Sequence, residues 1–129
     1  MAIDTSGSVS ETSLRLITSE INGILGAYPH LECELYHADR DIYGPYALTL
    51  DATLPTPEGG GGTSFVPFFD RVAATWDEHT QALCIYLTDG YGEFPQTIPT
   101  LPTLWVVTPG GLYLAQFPFG QAVRPIDRG

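Results

Sequence analysis

Positive charge is scarce in this 129-residue chain. It holds no lysine, and five arginines stand against 15 Asp and Glu, which gives a formal net charge of −10. This balance repels phosphate backbones and anionic lipid headgroups, so nucleic acids and membrane surfaces are poor partners. A P-loop needs a lysine after its glycines, whereas the glycine run at 59–62 leads into Thr63-Ser64. The acidity suits a hard cation, although a solvated acidic surface explains most of these carboxylates equally well.

Cysteines and long apolar runs are also few. Cys33 and Cys84 lie in apolar, strand-like runs without CxxC or Cys/His spacing, which predicts buried, reduced thiols rather than structural zinc. No apolar run approaches the roughly 20 residues that span a bilayer. The N-terminus lacks the basic-then-apolar order of a signal peptide, so a cytoplasmic protein is expected. The length predicts a single domain over residues 1–129.

The first half of the chain predicts a strand, a helix and a hairpin. A brief strand ends at Asp4 and leads into a loop of small residues. Apolar side chains at helical spacing then predict a helix over 10–28, with a buried face of Leu14, Ile17, Ile21, Ile24, Leu25 and Tyr28. Alternating patterns at 31–37 and 41–50 predict a hairpin with Asp39-Arg40 as its tight turn, and 51–62 is a long connection.

The second half predicts a helix and two buried strands. The helix opens at Thr63-Ser64, and its buried face comprises Phe65, Phe68, Phe69, Val72 and Trp76. The apolar runs at 82–88 and 103–108 are typical of parallel strands covered on both faces, and 122–126 predicts a short edge strand. This order indicates an α/β fold with a mostly parallel sheet, in which ligands gather at the carboxyl ends of strands.

Polar side chains follow three of these elements. Asp4, Ser6 and Ser8 follow the first strand, Thr63 follows the glycine run, and Asp89 follows the strand at 82–88. Singly, Ser8 and Thr63 are explained as helix caps and Asp89 as a turn residue. Together they meet at one edge of the predicted sheet, and their oxygens suit Mg²⁺, Mn²⁺ or Ca²⁺. The combination therefore predicts a divalent-cation site.

The pattern Asp-x-Ser-x-Ser, then Thr, then Asp resembles the metal-ion-dependent adhesion site of von Willebrand factor A (VWA) domains. The segments GGGGTSFVPFF, LTDGYGEFP, LWVVTPGG and FPFGQAVRPI are similar to the C-terminal VWA-like domain of predicted bacterial metallopeptidases. The resemblance implies a Rossmann-like three-layer fold with one antiparallel edge strand and helices on both faces. In that family an upstream domain carries a zinc-binding HExxH helix, which this chain lacks. A non-catalytic part of a longer two-domain protein is therefore expected.

The resemblance also implies roles for the five residues. Ser6 and Ser8 are direct hydroxyl ligands, and Thr63 is one when a partner is bound. Asp4 and Asp89 act mainly through water and hydrogen bonds. Neutral ligands leave the ion's charge partly uncompensated, so it is expected to bind an Asp or Glu carboxylate of another protein. A MoxR-type AAA+ ATPase and the upstream metallopeptidase domain are the expected partners.

Two aromatic residues beside Asp89 are candidate partner contacts. Tyr91 and Phe94 follow it in the same loop, although half-buried loop packing explains them equally well. The alternative function is a metal-assisted hydrolase or phosphatase that uses the same Mg²⁺. We expect no enzyme, because no histidine base is predicted at the carboxyl ends of the central strands.

The resemblance carries two further expectations. The family's sheet order places the first strand between the strands of Cys33 and Cys84, a separation of roughly 9 to 10 Å that exceeds the roughly 7 Å limit of a disulfide. Both thiols should then be free. Only three residues precede Asp4, whereas strands usually run about 5 to 6 residues. Either the natural chain begins upstream, or two copies associate as a homodimer to cover the short strand.

Overall fold

The computed structural model describes residues 1–4, 19, 23, 26–27, 33–48, 62–77, 79, 81–108 and 110–124. Within these ranges the elements with defined bounds are an α-helix, a 3₁₀ helix at Leu114–Gln116 and six strands. The helix is α1 (Val66–Thr75), and the strands are β1 (Ala2–Asp4), β2 (Cys33–Ala38), β3 (Ile42–Leu48), β4 (Cys84–Thr88), β5 (Thr103–Val107) and β6 (Gln121–Val123).

The strands form one sheet in the order β3-β2-β1-β4-β5-β6. All neighbouring pairs are parallel except β2 and β3, which form an antiparallel hairpin at one edge. The predicted α/β class, with a mostly parallel sheet and one antiparallel edge strand, is therefore confirmed. The chain runs outward from β1 first to β2 and later to β4, so the strand order reverses at β1. This is where open parallel sheets bind ligands.

The helix predicted over 10–28 lies largely outside the described residues. Four of its positions are described, and Ser19, Gly23, Gly26 and Ala27 are all helical and exposed. None of the four belongs to the predicted apolar face, so their exposure agrees with the predicted orientation. The long connection at 51–62 lies outside the described residues except for Gly62, which is exposed.

The core on the α1 side of the sheet is predominantly aromatic. Phe65 and Phe68 contact Tyr86 edge-on, with ring centroids 5.0 and 5.3 Å apart, and Tyr86 stacks on Trp105 at 5.4 Å. Each such pair contributes roughly 0.5 to 1.5 kcal/mol beyond the burial of its apolar surface. The Trp105 indole donates its hydrogen bond to the Phe119 carbonyl at 3.0 Å. The opposite face of the sheet is buried as well, at Ile3, Leu35 and Leu87.

Helix α1 begins later than the sequence predicts. Thr63 and Ser64 were expected to open it, but its first residue is Val66, with Pro67 in the first turn. Ser64 instead pairs with Glu93 as an isolated parallel bridge, because the backbone groups of residues 63–65 bond to distant loops. The side chain of Ser64 still contributes to the helix start, since its hydroxyl accepts a hydrogen bond from the Val66 N–H at 3.4 Å.

The cysteines lie on β2 and β4, and β1 runs between those strands. Both thiols are free, as predicted. Strand β1 has three residues, half as many as β2. Met1 extends its pairing with β2, because its carbonyl accepts from the Tyr36 N–H at 2.8 Å and its amino group donates to the Glu34 carbonyl at 2.9 Å.

Candidate metal centre

The site is built around the carboxyl end of β1. The parallel register pairs Ile3 with Leu87, so that Asp4 lies beside Thr88, the last residue of β4. The Thr88 hydroxyl donates a 2.6 Å hydrogen bond to Asp4 Oδ2, and both side chains are fully buried. A buried carboxylate is costly unless hydrogen bonds or a cation compensate it. This bond therefore fixes the position of a negative charge inside the fold.

The turn after β4 presents Asp89. Its Oδ1 accepts a hydrogen bond from the Tyr91 N–H at 3.0 Å, while the Gly90 N–H donates to the Thr88 hydroxyl at 3.1 Å. Gly90 has a φ of +87°, a conformation that glycine adopts without steric cost. A Cβ there would lie 2.7 Å from both Leu112 and Phe117. Tight packing thus holds Asp89 at the end of the strand, 9% exposed.

Residues 63–65, the bridging segment, place Thr63 at the same edge of the sheet. The Ser64 N–H donates to the Asp39 carbonyl at 2.9 Å, directly after β2. On the other side, the Phe65 N–H donates to the Glu93 carbonyl at 2.9 Å, and the Glu93 N–H donates to the Thr63 carbonyl at 3.3 Å. Since β2 and β4 flank β1, the bridging segment crosses the sheet edge where β1 ends at Asp4.

The loop after β5 supports Asp89 from its other side. The Leu112 N–H donates to the Asp89 carbonyl at 2.7 Å, and the Thr108 N–H donates to the Thr88 carbonyl at 3.1 Å. Arg124 holds this loop, since its guanidinium donates to the carbonyls of Gly111 and Leu112 at 3.2 and 2.8 Å. The backbone position of Asp89 therefore depends on the β5 loop as well as on β4.

The structure brings three of the five predicted ligands to one sheet edge, namely Asp4, Thr63 and Asp89. Ser6 and Ser8 lie outside the described residues. Sequence reasoning missed Thr88, although it directly precedes Asp89 and falls on the same strand face as Tyr86. It also assigned Asp39 only to a turn. Asp39 is 7% exposed, accepts from the Asp41 N–H at 3.0 Å, and anchors the bridging segment through its carbonyl.

Tyr86 adds a polar group to this region. Its hydroxyl is buried and has no hydrogen-bond partner among the described residues. Burial raises the pKa of Tyr86, and the negative charges of Asp4 and Asp39 raise it further. The phenol is therefore a neutral O–H in the same electrostatic environment as those two carboxylates.

The donor set fits a hard cation. No cluster of three or more His, Cys, Asp and Glu side chains suited to a metal occurs in the described part of the chain. The predicted site requires only two such residues, Asp4 and Asp89, and takes its other oxygens from hydroxyl groups. Oxygen donors without thiolate or imidazole suit Mg²⁺, Mn²⁺ or Ca²⁺ better than zinc. The buried negative charge at Asp4 favours a cation there.

The two candidate partner contacts differ in exposure. Tyr91 is 58% exposed. Phe94 is half-buried and packs against Phe65 and Trp105, with ring centroids 4.8 and 5.4 Å apart. Tyr113, which sequence reasoning did not single out, is 76% exposed and follows Leu112 in the loop that holds Asp89. The apolar surface beside Asp89 thus includes Tyr91 and Tyr113.

These features define an open, Rossmann-like α/β domain with polar side chains gathered where its strand order reverses. The family model of the VWA-like domain (DUF2201) matches residues 1–125, and the chain belongs to that family. No curated protein and no solved structure matches the chain. Among the described helices, none is long and apolar enough to cross a membrane.

Proposed function

We propose that this VWA-like domain is a non-catalytic adaptor that holds one divalent cation, Mg²⁺ in the first instance, and binds a carboxylate of a partner protein through it. The proposed ligands are Asp4, Ser6, Ser8, Thr63 and Asp89. The observation that carries the proposal is the bridging segment. It brings Thr63 from a distant part of the chain to the sheet edge where β1 ends at Asp4 and where Asp89 follows β4.

The chemistry of these residues supports binding. When bound, a divalent cation would supply a positively charged position for a carboxylate oxygen. Thr88 holds the Asp4 carboxylate through its hydroxyl, and the Tyr91 N–H holds Asp89. Both acids are thereby kept in place before any ligand arrives, which lowers the entropy lost on binding.

The placement of His37 supports binding over the hydrolase alternative. It pairs in register with Ile3, on the face of the sheet opposite Asp4, and is 2% exposed. His79 follows α1 and is exposed. Neither supplies a base beside the proposed cation site. A phosphatase assay with p-nitrophenyl phosphate and added Mg²⁺ tests the alternative directly, and turnover that is lost in Asp89→Ala would favour it.

The resemblance to metallopeptidase-associated domains favours two partners. One is a MoxR-type AAA+ ATPase, and the other is a metallopeptidase domain of the same system. Either would present an Asp or Glu at its surface. Affinity capture from the native host, in Mg²⁺ and in EDTA, tests this part of the proposal. Retention of the same proteins in both conditions would contradict a cation-dependent interaction.

Isothermal titration with MgCl₂ tests the site itself. Wild type should bind one equivalent, and Asp89→Ala should bind none while its circular dichroism stays unchanged. Asp41→Asn is the matched control, because Asp41 is an exposed carboxylate that accepts only from the adjacent Ile42 N–H among the bonds described for its side chain. Equal binding by wild type and Asp89→Ala would contradict the assigned site.

A further inference from the structure

A cavity lies between α1 and residues 93–101, and Glu93 in its lining is bonded through its N–H to the carbonyl of Thr63. We call this cavity the α1 groove. Its volume is about 630 Å³, within the range of roughly 300 to 1,000 Å³ in which proteins bind ligands. Phe69, Cys84 and Leu101 are buried at its base. Trp76 and Phe94 are half-buried along it.

The walls of the α1 groove are partly apolar, and the charged side chains among their described residues are all negative. Asp70 on α1 and Glu93 on the facing segment are exposed and are the charged side chains among its described lining residues. Ile98, which also lines the groove, is 70% exposed and so offers apolar surface to an occupant. An occupant with an apolar side chain and positive charge would complement this surface.

The backbone of the facing segment also suits a peptide. Gln96, Thr97 and Ile98 make no backbone hydrogen bond with another part of the described chain. Their N–H and C=O groups are therefore available to an extended chain, which carries matching donors and acceptors. A rigid small molecule would pair with fewer of them.

We propose that the α1 groove binds a segment of a partner protein in which an apolar side chain is flanked by Lys or Arg. The apolar side chain would fill the space above Cys84 and Leu101. The basic side chains would reach Asp70 and Glu93 at the two walls. The α1 groove would thus bind a positively charged segment, whereas the cation site would bind a negatively charged carboxylate.

Selection from a random-peptide phage library tests the proposal. The selection is carried out in EDTA, so that a cation bound at the proposed site makes no contribution. The result is then the same whether or not the proposed cation site is correct. Enriched sequences should carry Lys or Arg beside Leu, Ile, Phe or Trp. No enrichment, or enrichment of neutral or acidic sequences, would overturn the proposal.

Charge variants then locate the binding. The most enriched peptide is synthesised with a fluorophore, and its affinity is measured by anisotropy. Asp70→Asn and Glu93→Gln should each weaken binding about three-fold, the effect of losing one exposed ion pair. Glu34→Gln removes an exposed acid outside the groove and should leave the affinity unchanged. Equal effects of all three would mean that net charge alone attracts the peptide and would overturn the assignment.

The Cys84 thiol gives an independent readout, since it lies at the base of the groove and is 2% exposed. In a Cys33→Ser background, saturating peptide should slow the alkylation of Cys84 by N-ethylmaleimide. Ile98→Ser should weaken this protection, and its exposed position allows the fold to tolerate the change. An alkylation rate that is indifferent to bound peptide would show that the peptide binds elsewhere.

Discussion

The Thr88 hydroxyl donates to the Asp4 carboxylate at 2.6 Å and joins the ends of two adjacent strands that lie 84 positions apart in the chain. The same oxygen accepts from the Gly90 N–H. One buried side chain therefore connects an acid of the proposed cation site to the turn that presents the other acid, Asp89.

Thr88→Val should lower the free energy of unfolding by about 1 to 3 kcal/mol, because it removes the hydroxyl that donates to the buried Asp4 carboxylate and accepts from the Gly90 N–H. It should also weaken Mg²⁺ binding by freeing Asp4 to move. Urea denaturation and calorimetry measure the two effects. Thr88→Ser keeps the hydroxyl, so its Mg²⁺ affinity should stay near that of wild type. A similar loss of affinity in both variants would show that the hydroxyl is not the cause.

Asp4→Ala and Asp89→Ala should abolish Mg²⁺ or Mn²⁺ binding while the domain stays folded, because Asp4 is the last residue of β1 and Asp89 follows β4, so neither belongs to the aromatic core. Asp4→Asn, which keeps the size of the buried side chain, should weaken binding at least ten-fold, roughly the effect of losing a group that supports a metal site. Calorimetric titration measures all three. Undiminished affinity in the two alanine variants would contradict the site.

Gly90→Ala and Gly110→Ala form a matched pair, since both glycines have positive φ, +87° and +80°. A Cβ at Gly110 meets nothing within 4 Å, whereas at Gly90 it meets Leu112 and Phe117. Gly110→Ala should therefore cost only the conformational strain, about 1 kcal/mol. Gly90→Ala should cost more and should also weaken Mg²⁺ binding by shifting Asp89. Equal losses of stability in thermal melts would mean that the loop moves aside without cost.

Tyr91→Ala should leave the free energy of unfolding within about 0.5 kcal/mol of wild type, as is usual for an exposed side chain. Phe94→Ala should cost about 2 kcal/mol, less than the roughly 3 to 5 kcal/mol of a fully buried Phe. If Tyr91 contacts the partner, its variant should reduce the amount of captured partner in Mg²⁺. Undiminished capture by the stable Tyr91 variant would remove Tyr91 from the proposed interface.

The cysteine thiols should react slowly in the native protein. Burial raises the pKa of both Cys33 and Cys84, so each thiol remains protonated to a higher pH in the folded state than in the unfolded state. This difference stabilises the fold below the ordinary thiol pKa, and the contribution is lost as the pH rises through the raised values. Ellman titration across pH 7 to 10 should find two reactive thiols in urea. Without urea, the reaction of both thiols should begin at a higher pH. A single thiol or none in urea would contradict the free cysteines.

Much of the sheet could be predicted because its strands are marked by composition. The continuous apolar run before Asp89 predicts a strand that is covered on both faces. The alternating pattern before Asp39 predicts a strand that is covered on one face. Together with the rule for the carboxyl ends of parallel strands, this was sufficient to place Asp4 and Asp89 at one edge. The predicted start of α1 was wrong because the observed start depends on a contact between distant parts of the chain. Ser64 pairs with Glu93, and this pairing keeps Ser64 out of the helix.

The contact between Thr88 and Asp4 was missed for a similar reason. It depends on the register between β1 and β4, and a shift of one residue would move either side chain to the other face. Sequence patterns do not specify that register. The different exposures of Tyr91 and Phe94 likewise depend on Phe65 and Trp105, which pack under Phe94 from distant parts of the chain.

The two indoles of the molecule lie in different environments, and this separation makes them distinct optical probes. Trp105 is fully buried and contacts rings from α1, β4 and the segment before β6, so its emission should be blue-shifted and should change only when the core opens. Trp76 is half-buried and borders the α1 groove, so its emission should respond to occupants of that groove. Unfolding and peptide binding can thus be followed separately by intrinsic fluorescence, with Trp76→Phe isolating the core signal.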